Sequence, residues 1–197
     1  IPQYYAFGDT VYGDELNMPP HEFYETMRKG ELPKSQANNP AVIRDKFEKI
    51  LKEGKNILHI AFSSALSGSC NNVVMTANEL LEDYPDRKIM VFDSLNASLG
   101  EGVSVYRAVE LWKEGKSMEE VYDVLMEERD HVNVSFTVND LYHLQRGGRV
   151  SKTTAVVGSL INITPILTVT ATGELKSDGT VRGRKKSLKT LVSRMEE

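Results

Sequence analysis

The chain has 197 residues, 40% hydrophobic and 26% charged, enough to bury a substantial core in one large domain or two small ones. Its formal net charge of −4 speaks against general nucleic-acid binding, and its single cysteine, Cys70, excludes an intramolecular disulfide and points to a reducing compartment. No apolar run reaches the length of a membrane span.

Residues 1–17 hold short β-like runs, YYAFG and TVYGDEL, punctuated by glycine. PPHEFYETMRKG predicts a short helix with proline at its start and Gly30 after its end. ELPKSQANN reads as a polar loop. Asn39 and Pro40 suit the cap and first residue of a helix over AVIRDKFEKILKEG, whose Val42, Ile43, Phe47, Ile50 and Leu51 share one face before Gly54 ends it. NILHIAF is then a strand, SCNNVVMTANELLED a helix with Val73, Val74, Ala77, Leu80 and Leu81 inward, and KIMVFD a second strand. The loop SLNASLGEG leads into a helix through AVELWKEG, and Ser117 with Glu120 forms a capping box for the next helix, SMEEVYDVLMEERD.

This alternation implies a mostly parallel sheet covered by helices. In such sheets ligands bind outside the carboxyl ends of the strands, where AFSSALSG and FDSLNASLGEG lie. From about residue 133 the pattern changes. NVSFTVN is a strand, DLYHLQRGG a short helix ending in two glycines, and SKTTAVVGSLI another helix. TPILTVTATGELKSDGTVRG alternates and turns as antiparallel strands do, and KKSLKTLVSRMEE closes the chain as a basic amphipathic helix. The expected fold class is α/β, with an N-terminal domain over residues 1–133 and a smaller α+β domain over 134–197.

The hydroxyl-rich turn SSALSG carries the clearest chemistry. It is read either as a strand-to-helix turn, with Ser67 capping the helix and Gly68 relieving crowding, or as an anion site. The opening amides of a helix favour negative charge, and serine hydroxyls add donors without adding a positive charge, which suits a carboxylate or a phosphate. The turn has neither the P-loop pattern nor the G-x-S-x-G of a nucleophilic serine. His21, His59, His131 and His143 form no metal-binding spacing, and His59 reads as a core residue. Cys70, on the first turn of a helix, reads as a packing residue. In QRGGRV, Arg146 and Arg149 flank a Gly-Gly turn that ends a helix and could set a guanidinium beside an anion. The basic run VRGRKKSLKTLVSR reads as an exposed helix face, with a docking surface for an acidic partner or phosphate as the alternative.

Several segments together resemble the DegV family of bacterial fatty-acid-binding proteins: TVYGDEL with HEFYETMRKGELPKSQ, AFSSALSGSCNNVVMTA, VFDSLNASLGEG, LYHLQRGGRVS, GSLINITPIL and RGRKKSL, in this order over nearly the whole chain. The resemblance implies an α/β domain followed by an α+β domain with a long-chain fatty acid between them. It implies a carrier rather than an enzyme, which presents the acyl carboxylate to a separate ATP-binding fatty acid kinase subunit for acyl phosphate formation and phospholipid synthesis. It also implies a cytoplasmic protein with no cofactor and no metal. The family's T-S-Q-P segment matches KSQ at Ser35, with Lys34 and Ala37 departing from the pattern. Its S-S-x-x-S-G segment matches Ser67 first, Ser64 next and Gly68 as an amide donor, all on the carboxylate; its G-G-R turn matches Arg149, on the head-group or phosphate side. A strand ending in Asp-Ser would precede Ile1 and a His-x-Gly-Pro-like segment would follow Glu197, so both domains are expected to be incomplete at these ends. The alternative is an enzyme or sensor that binds a small phosphorylated or hydroxylated metabolite in the same inter-domain site.

Overall fold

The computed structural model describes residues 1–14, 16–139, 141–151 and 163–195, which form two compact units. The first comprises Ile1–Ile57 with Ser67–Val91, the second Leu58–Leu66 with Phe92–Glu197. The chain is mixed α/β.

In the first unit β1 (Tyr4–Phe7) pairs antiparallel with β2 (Thr10–Tyr12) and with β3 (Lys34–Gln36). The expected polar loop ELPKSQANN therefore contains a strand. All three β3 residues are exposed, so no alternation marks it, and it is held by its register with Tyr4, Tyr5 and Ala6. Tyr5 and Phe7 of this sheet meet Phe23 of α1 (Pro20–Arg28) edge-on, and Tyr5 stacks on Tyr12.

Helix α2 (Pro40–Lys52) begins as expected, with the Asn39 side chain accepting the Ala41 N–H. Its Ile43, Phe47 and Leu51 pack with Val73 and Leu80 of α3 (Ser69–Asp83) and with Ile57 into one core. Two expected core residues face out instead: Ile50 is 37% and Val74 39% exposed. Both lie on the rim of a stripe that is narrower than the run of apolar letters suggests, because each helix buries only its middle rows against the other.

Strands β4 (Ile57–Ala61) and β5 (Ile89–Asp93) form a two-stranded sheet. The Ile57 N–H bonds Lys88 O, the Ser94 N–H bonds Ala61 O and the Ser63 N–H bonds Asn96 O. The paired numbers rise together, so the two strands run parallel. In the second unit Phe92 packs against Ala108 and Leu111 of α4 (Leu99–Lys113) and Val121 and Leu125 of α5 (Met118–Glu128). Helix α4 starts inside the expected loop SLNASLGEG. Its Gly100 leaves no room for a side chain, since a Cβ there would lie 2.5 Å from Val134 Cγ2. The Ser117–Glu120 capping box at α5 is present with both of its bonds.

Beyond a single 3-10 turn (Arg129–His131), β6 (Ser135–Thr137), β7 (Ile163–Val169) and β8 (Leu175–Arg182) form an antiparallel sheet in the order β6-β7-β8. Helix α6 (Tyr142–Arg146) ends at the two glycines, and α7 (Arg184–Ser193) packs on this sheet with Lys185, Lys186 and Lys189 exposed. The expected helix SKTTAVVGSLI lies, after Ser151, outside the described residues.

Candidate functional site

In the turn between β4 and α3 the hydroxyls of Ser63, Ser67 and Ser69 hold backbone, each with a separate task. Ser63, fully buried, donates its hydroxyl to Gly173 O at 2.8 Å and accepts the Ala65 N–H at 3.3 Å, while its carbonyl accepts the Leu66 N–H at 3.0 Å. The Ser64 N–H donates to Asp93 Oδ1 at 3.2 Å, and the same oxygen accepts the Leu95 N–H at 3.1 Å. The carboxylate at the end of β5 thus fixes the end of β4. No hydrogen bond of the Ser64 hydroxyl occurs among the described residues.

Ser67 does not cap α3 as expected. The cap position is Gly68, and Ser67 Oγ accepts the Ser69 N–H two residues on, at 3.2 Å, in a local side-chain turn. Ser67 Oγ also lies 3.0 Å from Ser69 Oγ, which accepts the Asn38 N–H at 3.1 Å. Either hydroxyl can be the donor of the shared bond; where Ser69 donates, the Ser67 hydrogen stays available to an outside acceptor.

The 35–38 segment is fastened beside this turn. Asn72 Nδ2 donates to Asn38 O at 2.8 Å, and a Cβ placed on Gly68 would lie 3.8 Å from Ala37 Cβ. Ser35, exposed at the centre of β3, is three residues before Asn38. Within the first unit, then, the segments carrying Ser35, Ser67 and Gly68 are drawn to the start of α3.

Arg149 and Ser64 belong to the second unit. The Gly-Gly end of α6 sets the arginine: the Gly148 N–H bonds Gln145 O, the Arg149 N–H bonds Leu144 O, and Gly148 takes φ +76, the paired bonds and left-handed residue of a Schellman end. The chain turns back, and Arg149 Nε donates to Leu66 O at 3.1 Å while Nη1 donates to Gly147 O. Leu66, Gly148 and Arg149 line part of a cavity of about 510 Å³ that also takes in Ala65, Thr170, Glu174 and Lys176.

His59 is in β4, and burial pushes its imidazole down to about 4, so it is neutral at physiological pH. Cys70 is buried on the first turn of α3. Among the described residues no group of three or more His, Cys, Asp or Glu side chains could hold a metal ion, and no helix is long and apolar enough to cross a membrane.

Sequence reasoning missed Ser63, Asp93, Asn38 and Ser69. Asp93 had a readable signal, an Asp at a strand end two residues before a backbone amide it can bond. Ser63 had none, because its partner lies 110 residues away.

The family model described as "Uncharacterised protein, DegV family" matches residues 1–197. A DegV domain-containing protein of Clostridium perfringens is 42% identical over 191 residues, 96% of this chain and 66% of that relative. One of Streptococcus pyogenes is 36% identical over 171 residues, 87% of this chain and 60% of that relative. This chain therefore spans less than two thirds of their length. Among solved structures, a DegV family protein of Thermus thermophilus described for its fatty acid binding superposes with a TM-score of 0.85 at 31% identity, covering 99% of this chain and 68% of that one. The fatty acid kinase B3 protein of Streptococcus pneumoniae, loaded with linoleic acid, does so with a TM-score of 0.86 at 30% identity, covering 98% and 68%. With its strand-end serines, its Gly-Gly-Arg turn and a match that runs from the first residue to the last, the chain belongs to the DegV family.

Proposed function

We propose that this chain is a cytoplasmic fatty-acid carrier, with no complete active site of its own, that binds a long-chain acid and presents its carboxylate to a separate ATP-binding kinase subunit. The observation that carries the reading is the half-buried Ser67 hydroxyl in an uncharged turn that opens a helix, assigned as the first donor to the carboxylate. Ser64, whose hydroxyl makes no hydrogen bond among the described residues, Ser35 and the Gly68 amide are the further donors assigned to the carboxylate.

The energetics agree. Burying an acyl chain contributes roughly 0.8 kcal/mol per methylene, while the carboxylate tolerates losing water only if it is hydrogen-bonded. Hydroxyl donors meet that need without a paired cation, leaving an ionised oxygen able to attack a phosphoryl group. Arg149 is assigned to the head-group or phosphate side. The Thermus thermophilus and Streptococcus pneumoniae relatives, one described for fatty acid binding and the other loaded with linoleic acid, support the same ligand class.

A small phosphorylated or hydroxylated metabolite is the competing ligand, and one observation favours it: the cavity beside Arg149 is lined by the charged Glu174 and Lys176. Native mass spectrometry of the purified protein, followed by organic extraction, separates the two. A stoichiometric long-chain fatty acid is the expected result. An empty protein that gains no mass with added fatty acid but does with a phosphorylated metabolite would reverse the assignment.

A further inference from the structure

The tip of the β7–β8 hairpin is built to fit the serine turn and nothing larger. The tip is closed by its own bonds: the Gly173 N–H donates to Thr170 O at 2.9 Å, the Thr170 N–H to Glu174 O at 2.9 Å and the Glu174 N–H to Thr170 Oγ1 at 3.1 Å. Gly173 has φ +83, and a Cβ there would meet Ser63 Oγ at 2.3 Å and Leu95 Cα at 3.2 Å. Two constraints, backbone conformation and space, thus require glycine at this one position. The contact is a bond as well as a fit, since Ser63 Oγ donates to Gly173 O at 2.8 Å.

Every polar atom of Ser63 is committed. Its N–H goes to Asn96 O, its carbonyl takes the Leu66 N–H, and its hydroxyl serves Gly173 O and the Ala65 N–H. It has 0% exposure and nothing left for a ligand. We propose that Gly173 and Ser63 form a positioning latch, in which the hairpin tip sets the register of residues 63–66 and thereby the direction of the Ser64 hydroxyl that follows. Ser63 is then a positioning residue, although it opens the serine motif. The latch's role in binding rests on the carboxylate reading given above.

Gly179 supplies the control. It lies in the same hairpin with φ +104, but a Cβ there meets nothing within 4 Å. Gly173→Ala and Gly179→Ala therefore share the backbone strain and differ in the contact with Ser63. Affinity for a fluorescent long-chain fatty acid, cis-parinaric acid, and amide hydrogen exchange at Leu66 are measured in both variants and in Ser63→Ala. Gly173→Ala and Ser63→Ala are expected to weaken affinity and to speed Leu66 exchange, each by about tenfold or more, with Gly179→Ala within about twofold of wild type in both. Equal affinity and exchange in the two glycine variants would overturn the latch. If wild type takes up no probe, the carboxylate reading fails and with it the role in binding, while the exchange ratio alone still decides whether Gly173 holds the turn.

Discussion

His59 offers a prediction whose size follows from the structure. Its imidazole titrates near 4 in the folded chain because burial disfavours the charged ring, against an ordinary value of 6.5. Between those two values the unfolded chain holds a proton that the folded chain refuses. Stability from this group is therefore fully present above pH 6.5 and is lost as pH falls towards 4, below which both states are protonated and nothing further changes. The shift corresponds to a loss of about 3 kcal/mol over the whole window and about 2 kcal/mol by pH 5. His59→Gln removes the titrating ring and keeps a polar side chain. Urea unfolding of both proteins at pH 7.5 and pH 5 cancels the carboxylates they share. The wild type should lose about 2 kcal/mol more than the variant between the two pH values. Equal losses would refute the reasoning and place the ring where it ionises freely.

Other consequences are more local. Gly100→Ala places a Cβ 2.5 Å from Val134 Cγ2 and 2.7 Å from Asn96 Oδ1, and should destabilise the fold by roughly 1–3 kcal/mol in thermal or urea unfolding. Ser117→Ala removes the acceptor of the Glu120 N–H in the capping box and should cost about 1 kcal/mol with no effect on ligand binding, measured by the same unfolding and by fatty-acid titration. Phe92→Ala empties the centre of the core under α4 and α5, where Phe92 is 0% exposed, and should cost about 3–5 kcal/mol.

What the sequence made legible was local. The Asn39 cap, the Ser117–Glu120 box and the two glycines after α6 are signals read within a few residues, and each was found where its spacing placed it. β3 was invisible because a strand of three exposed polar residues has no period to detect, and its identity comes from β1. Val74 and Ile50 show the limit of counting apolar letters on a helix, since the width of the buried stripe is set by the neighbouring helix. At the site, composition drew attention to the serines but did not sort them. Ser63 and Ser67 look equivalent in SSALSG, yet Ser63 is wholly spent on Gly173 and its own turn while Ser67 bonds the amide and hydroxyl of Ser69 at the start of α3. That distinction depends on a partner 110 residues away in one case and on Ser69 in the other.

The most direct test of the central claim follows the carboxylate itself. Palmitate labelled with carbon-13 at its carboxyl group is titrated into wild type and into Ser64→Ala/Ser67→Ala, and the carboxyl resonance is read by NMR across pH. Wild type should give one bound resonance that stays ionised well into the acid range, with the double variant binding at least about tenfold more weakly and its carboxyl shifted. Unchanged affinity and an unchanged carboxyl resonance in the double variant would contradict the account and move the carboxylate away from these serines.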